Sequence, residues 1–165
     1  MHNEAFEWVR RTAWSLPALR RVLEFGSLCV NGSVREVFTA ATAYIGVDVQ
    51  AGPGVDLAHD AATVDIQPGT WDAVLCCEVF EHTRSGPLIV ANAFRHLRSG
   101  GVFIATCAGP ARPAHACYGG ESLDEYYRGV SQEELRQWIT RARFGFAIVD
   151  GHSVEGDTYA VAVKF

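Results

Sequence analysis

From residue 20 onward the chain reads as short apolar runs, each closed by a glycine or an acidic residue and separated by amphipathic or polar stretches. Ahead of them, Phe6, Val9, Ala13 and Leu16 recur at helical spacing over residues 4–16. Glu4 and Glu7 come early and Arg10 and Arg11 later, which suits the helix dipole. Pro17 interrupts, and a short second helix through Leu19 is expected to follow. Residues 21–25 predict a buried strand that stops at Gly26. Asn31, Gly32 and Ser33 predict the start of a helix through Phe38, capped by Ser33 or Asn31. Residues 44–49 predict a second strand, 52–54 a turn, and 55–58 a weak third strand closed by Asp60 and Ala61. Residues 71–77 are almost wholly apolar, as in a strand of a parallel sheet covered on both faces.

Pro87 fits the first turn of a helix that carries Ile89, Val90, Ala93, Phe94 and Leu97 and is stopped by Gly100 and Gly101. Residues 102–106 predict a fifth strand. Ser131 and Glu134 match a capping box, and Leu135, Trp138, Ile139 and Ala142 give the following helix one apolar face. Two closing strands, 147–154 and 158–165, flank a hairpin turn at 155–157. Strands alternating with helices for most of the chain predict an α/β, Rossmann-like doubly wound sheet, and the hairpin adds one antiparallel strand. The 165 residues show no repeat and read as one domain. Within it, 1–20 is an N-terminal helical segment, and 108–130 is a polar segment long enough to suggest a functional loop.

Composition narrows the function. With 48% hydrophobic and 20% charged residues the chain is globular, and a net charge of −5 lacks the basic footprint of a duplex nucleic acid binder. Five cysteines at irregular spacing argue against a disulfide framework, and Cys76 and Cys77 read as small core residues. No apolar run approaches the ~20 residues of a membrane span, and the first residues lack a signal-peptide pattern. A cytoplasmic protein is expected, with its oligomeric state open.

In parallel α/β sheets ligands sit at the carboxyl ends of the strands, and Glu24, Asp48, Asp60 and Glu78 all fall at such ends. Five short motifs occur in order: Val22-Leu23-Glu24-Phe25-Gly26-Ser27, Tyr44-Ile45-Gly46-Val47-Asp48, Asp60-Ala61, Cys77-Glu78-Val79-Phe80-Glu81-His82 and Leu97-Arg98-Ser99-Gly100-Gly101. Together they resemble the class I S-adenosylmethionine-dependent methyltransferase family, well over residues 20–107 and loosely elsewhere. With the strand pattern, the resemblance implies seven strands in the order 3-2-1-4-5-7-6, the last antiparallel. It implies S-adenosylmethionine as cofactor, held by Glu24, Gly26, Ser27, Asp48, Asp60, Ala61 and Glu78. Asp48 can accept both ribose hydroxyls, Glu24 can attract the ammonium of the methionine tail, and Asp60 can accept from the adenine amino group. The amides near Asn31-Gly32-Ser33 can receive the tail carboxylate at a helix start. Taken singly, Gly26 is equally a turn glycine, Glu24 a solvated strand end, Asp48 a turn residue and Asp60 a cap. The chain departs from the family pattern at Leu28, where a second glycine is usual. The same departure removes the Gly-x-Gly-x-x-Gly wrap of a nicotinamide-binding fold.

The fourth strand does not end in the Asn/Asp-Pro-Pro-aromatic signature of base amino-methylases. Glu78, Glu81 and His82 form an acid-x-x-acid-His set, which in some small-molecule O-methyltransferases holds a divalent cation. The favoured reading has no metal, with Glu78 toward the cofactor and Glu81 and His82 opening a helix. His82 is the candidate acid/base residue, because imidazole titrates near neutrality. His115, Tyr118, Tyr126 and Tyr127 are candidates for an acceptor pocket, or else tyrosines packed on the next helix. His2, His59, His96 and His152 read as surface or structural. The expected function is methyl transfer to an oxygen or nitrogen of a small molecule. The alternative is a non-catalytic cofactor-binding domain serving as a regulatory or assembly module.

Overall fold

The computed structural model describes residues 2–117, 126–152 and 156–165. Helix α1 (Asn3–Trp14) leads into strand β1 (Arg21–Phe25), followed by β2 (Ala43–Asp48), β3 (Leu57–Ala58) and β4 (Trp71–Cys77). Then come α2 (Gly86–His96), β5 (Leu97–Ala108), α3 (Gln132–Arg141), β6 (Phe146–His152) and β7 (Asp157–Val163). The strands form one sheet in the order β3-β2-β1-β4-β5-β7-β6. Pairings from β3 through β5 are parallel, and β7 runs antiparallel to both β5 and β6. The expected strand order and the reversed closing strand are both present.

The apolar runs are explained by cover on two faces. On one face α1 packs Val9 over Val22, Ala73, Leu75, Val102 and Ile104. On the other, α2 and α3 bring Ile89, Val90, Ala93, Leu135, Trp138 and Ile139 over Leu23, Phe25, Val74, Cys76, Phe103 and Ala105. Cys76 and Cys77 are buried core residues, as expected. Helix α3 starts where its capping box predicts: the Ser131 hydroxyl accepts from the Glu134 amide at 3.2 Å.

Several boundaries differ from expectation. Residues 17–20 form no helix, so the short second helix expected through Leu19 is missing. The predicted helix through Phe38 is only a 3-10 turn, Val34–Val37, with Ser33 accepting from the Arg35 amide. Val34 and Phe38 are drawn into the core beneath α1, which anchors the segment after one turn. The β1–β2 connection is therefore mostly loop, and no α-helix lies between β1 and β4. Strand β3 is reduced to two exposed residues, a short edge of the kind that discourages further pairing. Helix α2 ends at His96, not at Gly100-Gly101, and Leu97 already belongs to β5. His96 is structural: it is fully buried, faces the Asn92 carbonyl through Nδ1 at 2.8 Å, and accepts the Ile66 amide at Nε2. Gly100, at φ +75°, lies in the irregular opening of β5, where the register against β4 shifts. Among the described residues no helix is long and apolar enough to cross a membrane.

Candidate active site

A cleft of about 700 Å³ opens over the carboxyl ends of β1, β2 and β4. All seven expected cofactor residues line it, as does His82, and so do His115 and Tyr126. Tyr127 is not on the wall but packs edge-on against both His82 and His115, at ring separations of 5.5 and 4.9 Å. Tyr118 lies outside the described residues, and the side chain of His152 is likewise not described.

The turn after β1 is built on Gly26. Its φ is +78°, and a Cβ there would overlap the Val79 side chain. Both conditions select glycine. The Gly26 and Ser27 amides donate to the Val47 carbonyl, tying the turn to β2. Leu28, where the family pattern has glycine, gives its amide to Asp48 Oδ2 at 3.1 Å, and Cys29 donates to the Pro53 carbonyl. The loop thus runs along the β2–β3 turn rather than into a helix. This corrects the expected helix start near Asn31: the segment holds only the four-residue 3-10 turn, too short to gather a helix dipole.

Asp48 accepts one backbone amide on each oxygen, from Leu28 and from Gln50. The remaining lone pairs are available for two ribose hydroxyls. Asp60 accepts the Ala62 amide at 2.8 Å and so caps the turn that follows β3 while facing the cleft. Glu24 is 4% exposed and accepts the Tyr44 hydroxyl at 2.8 Å. Burial pushes its carboxyl up to about 7. A buried carboxylate with one hydrogen bond favours an incoming cation. The Ser27 hydroxyl is also buried and has no hydrogen-bond partner among the described residues. A cradle without a Cβ at Gly26, diol-ready oxygens on Asp48 and a desolvated acid at Glu24 fit the three polar ends of S-adenosylmethionine.

Beyond β4 the backbone turns sharply. Glu78 takes φ +56°, unusual for a side chain with Cβ, and a 3-10 turn Phe80–His82 follows. Glu78 does not point free into the cleft. It accepts the Thr106 hydroxyl at 3.1 Å and pairs with Arg112 at 2.9 Å. Arg112 also pairs with Asp157 at 2.8 Å, and His2 Nε2 lies 2.7 Å from the other Asp157 oxygen. These partners hold Glu78 and Asp157 below the usual carboxylate range, and the Asp157 and Glu78 carboxylates push His2 up to about 9. His2, Arg112 and Asp157 were not expected here. His2 had read as surface or structural, and Asp157 as part of a hairpin turn.

Glu81 turns the opposite way and is fully buried. Its Oε1 accepts the Ala108 amide at 3.1 Å, and burial raises its carboxyl to about 8. The chain after β5 is pinned over this end of the cleft: Arg128 donates to the Glu81 carbonyl, and Val130 donates to the Ala108 carbonyl. Arg84 lies over the Tyr126 ring at 4.3 Å, and Arg128 donates to its hydroxyl.

The topology with a reversed β7 beside β5, and a cleft over the strand ends, is the Rossmann-like methyltransferase fold. Residues 29–105 match the family model for a methyltransferase domain. The fold and the matched segment are both consistent with a class I S-adenosylmethionine-dependent methyltransferase. No curated protein matches the chain in sequence. Among solved structures, phosphoethanolamine N-methyltransferase 2 of Haemonchus contortus superposes with a TM-score of 0.70 at 14% identity, covering 98% of this chain and 53% of that one. The chain thus spans about half the length of that enzyme. An amino pentose methyltransferase from Micromonospora echinaspora matches with a TM-score of 0.71 at 21% identity, over 99% and 91% of the two chains. A methyltransferase from Mesorhizobium loti gives 0.71 at 15%, over 97% and 98%. At these identities the likeness speaks for the fold.

Proposed function

We propose that residues 1–165 form a single methyltransferase domain that binds S-adenosylmethionine in the cleft and moves its methyl group to an oxygen or nitrogen of a small molecule. The observation that carries this reading is the convergence of Glu24, Gly26, Asp48 and Asp60 on one cleft, with His82 at its other end. The sulfonium supplies an already activated methyl group, so the protein's share is alignment, exclusion of water and removal of a proton. Asp48 takes the ribose, Glu24 the tail ammonium and Asp60 with Ala61 the adenine edge. His82, His115, Tyr126 and Tyr127 border the acceptor end, where His82 accepts the acceptor's proton. A cytoplasmic setting fits the buried Cys76, Cys77 and Cys107 thiols. The Haemonchus structure holds phosphomonomethylethanolamine, and the Micromonospora protein is an amino pentose methyltransferase; both names support a small acceptor.

The test is His82→Ala with any acceptor that is turned over. A base at this position predicts a rate lowered by ~10²–10⁴-fold with cofactor affinity unmoved. Unchanged turnover would leave His82 a structural residue. Cofactor binding without release of adenosylhomocysteine, across a panel of small hydroxyl and amine acceptors, would reduce the protein to a cofactor-binding module.

A further inference from the structure

The acid-x-x-acid-His set after β4 is divided by the fold. Glu78 is spent on Arg112 and Thr106, whereas Glu81 and His82 turn toward a residue far along the chain, His115. One ligand atom from each of Glu81, His82 and His115 lies within 4.8 Å of the other two. Ligands each about 2.1 Å from a tetrahedral zinc sit roughly 3.4 Å apart, so side-chain adjustment of about an ångström closes the set.

A second observation marks the site as built for a ligand. Glu81 is fully buried, yet its Oε2 has no hydrogen-bond partner among the described residues. Burying a carboxylate oxygen away from water without a partner is costly, and a cation is one remedy. The surroundings hold the ligands in place. The Ala108 amide fixes Glu81 through Oε1, and the Tyr127 ring packs against both imidazoles. The two imidazole rings stand edge to face at 5.2 Å.

We propose that Glu81, His82 and His115 bind one divalent transition-metal ion at the acceptor end of the cleft. Two imidazoles with one carboxylate suit zinc, cobalt, iron or manganese better than magnesium or calcium, which prefer oxygen alone. Three protein ligands leave coordination positions open, and His82 and His115 both border the cleft. An ion there would lower the pKa of an acceptor hydroxyl. With the ion bound, His82 is a ligand and no longer the base. That consequence rests on the methyltransferase reading, whereas the binding itself does not.

The experiment uses the full chain, stripped of metal with chelator, desalted and titrated with Co²⁺ and then Zn²⁺ without cofactor or acceptor. The proposal expects one Co²⁺ per chain, visible d–d absorption bands from nitrogen and oxygen ligands, and displacement by one Zn²⁺. His115→Ala, checked by circular dichroism for folding, should weaken binding at least about 100-fold, since loss of a group that only orients a metal-binding side chain already costs ~10–100-fold. Glu81→Gln should do the same, and His59→Ala, at an exposed imidazole outside the set, should bind as the parent does. Absence of saturable 1:1 binding would overturn the site. Binding that survives His115→Ala would also overturn it by placing the ion on other histidines. Cofactor titration in the presence of chelator separates failure of the metal site from failure of the methyltransferase reading.

Discussion

Glu24→Gln tests the electrostatics of the cleft without adding or removing a heavy atom. In the folded chain the Glu24 carboxyl titrates near 7, against its ordinary 4.5, because burial disfavours the charged form. The native state therefore holds this proton between pH 4.5 and 7 while the unfolded chain has released it. Stability from this group is fully present below about pH 4.5 and is lost as pH rises through 7. At about 1.4 kcal/mol per pH unit, the loss is about 3 kcal/mol once the carboxylate is forced to ionise. Glutamine keeps an oxygen that can accept the Tyr44 hydroxyl but carries no charge to desolvate. The variant should match the parent near pH 4 and exceed it by up to about 3 kcal/mol at pH 8, read as urea midpoints across pH. It should also bind S-adenosylmethionine more weakly, because the anion that attracts the ammonium is gone. A stability difference that does not change with pH would refute the assignment of a desolvated, ionisable Glu24.

Gly26→Ala should destabilise the fold by about 2–4 kcal/mol in urea denaturation. Roughly 1 kcal/mol comes from the left-handed backbone and the remainder from overlap with Val79. The His2 imidazole, held up to about 9 by Asp157 and Glu78, contributes stability that is complete below pH 6.5 and lost as pH rises through about 9. His2→Ala should abolish that alkaline loss in thermal melts at pH 6 and pH 10, whereas an unchanged slope would detach His2 from the cluster.

Much of the fold was legible because the strands carry its physics locally. Residues 71–77 are apolar but for Asp72 because helices cover both faces there, and the Ser131–Glu134 cap announces α3 by residue type alone. That Glu24, Gly26 and Asp48 would meet in one cleft was legible for the same reason: they occupy strand ends, and strand ends were readable. The helix expected through Phe38 failed because tertiary anchoring of Val34 and Phe38 overrode a weak local signal. The His2–Glu78–Arg112–Asp157 network was invisible because its members come from the residue before α1, the residue after β4, the segment after β5 and the start of β7. No spacing rule links them. In the acid-x-x-acid-His set the residue types were readable but not their directions. The left-handed backbone at Glu78 and the 3-10 turn after it send Glu81 inward and leave Glu78 to Arg112.

Whether this cleft is a cofactor site is decided by titration calorimetry of S-adenosylmethionine into the chain and into Asp48→Ala. One binding site per chain is expected, with an affinity weakened by ~1.5–3 kcal/mol in the variant, the worth of hydrogen bonds to a charged group. Absence of binding to the parent chain, or an affinity identical in the two proteins, would contradict it.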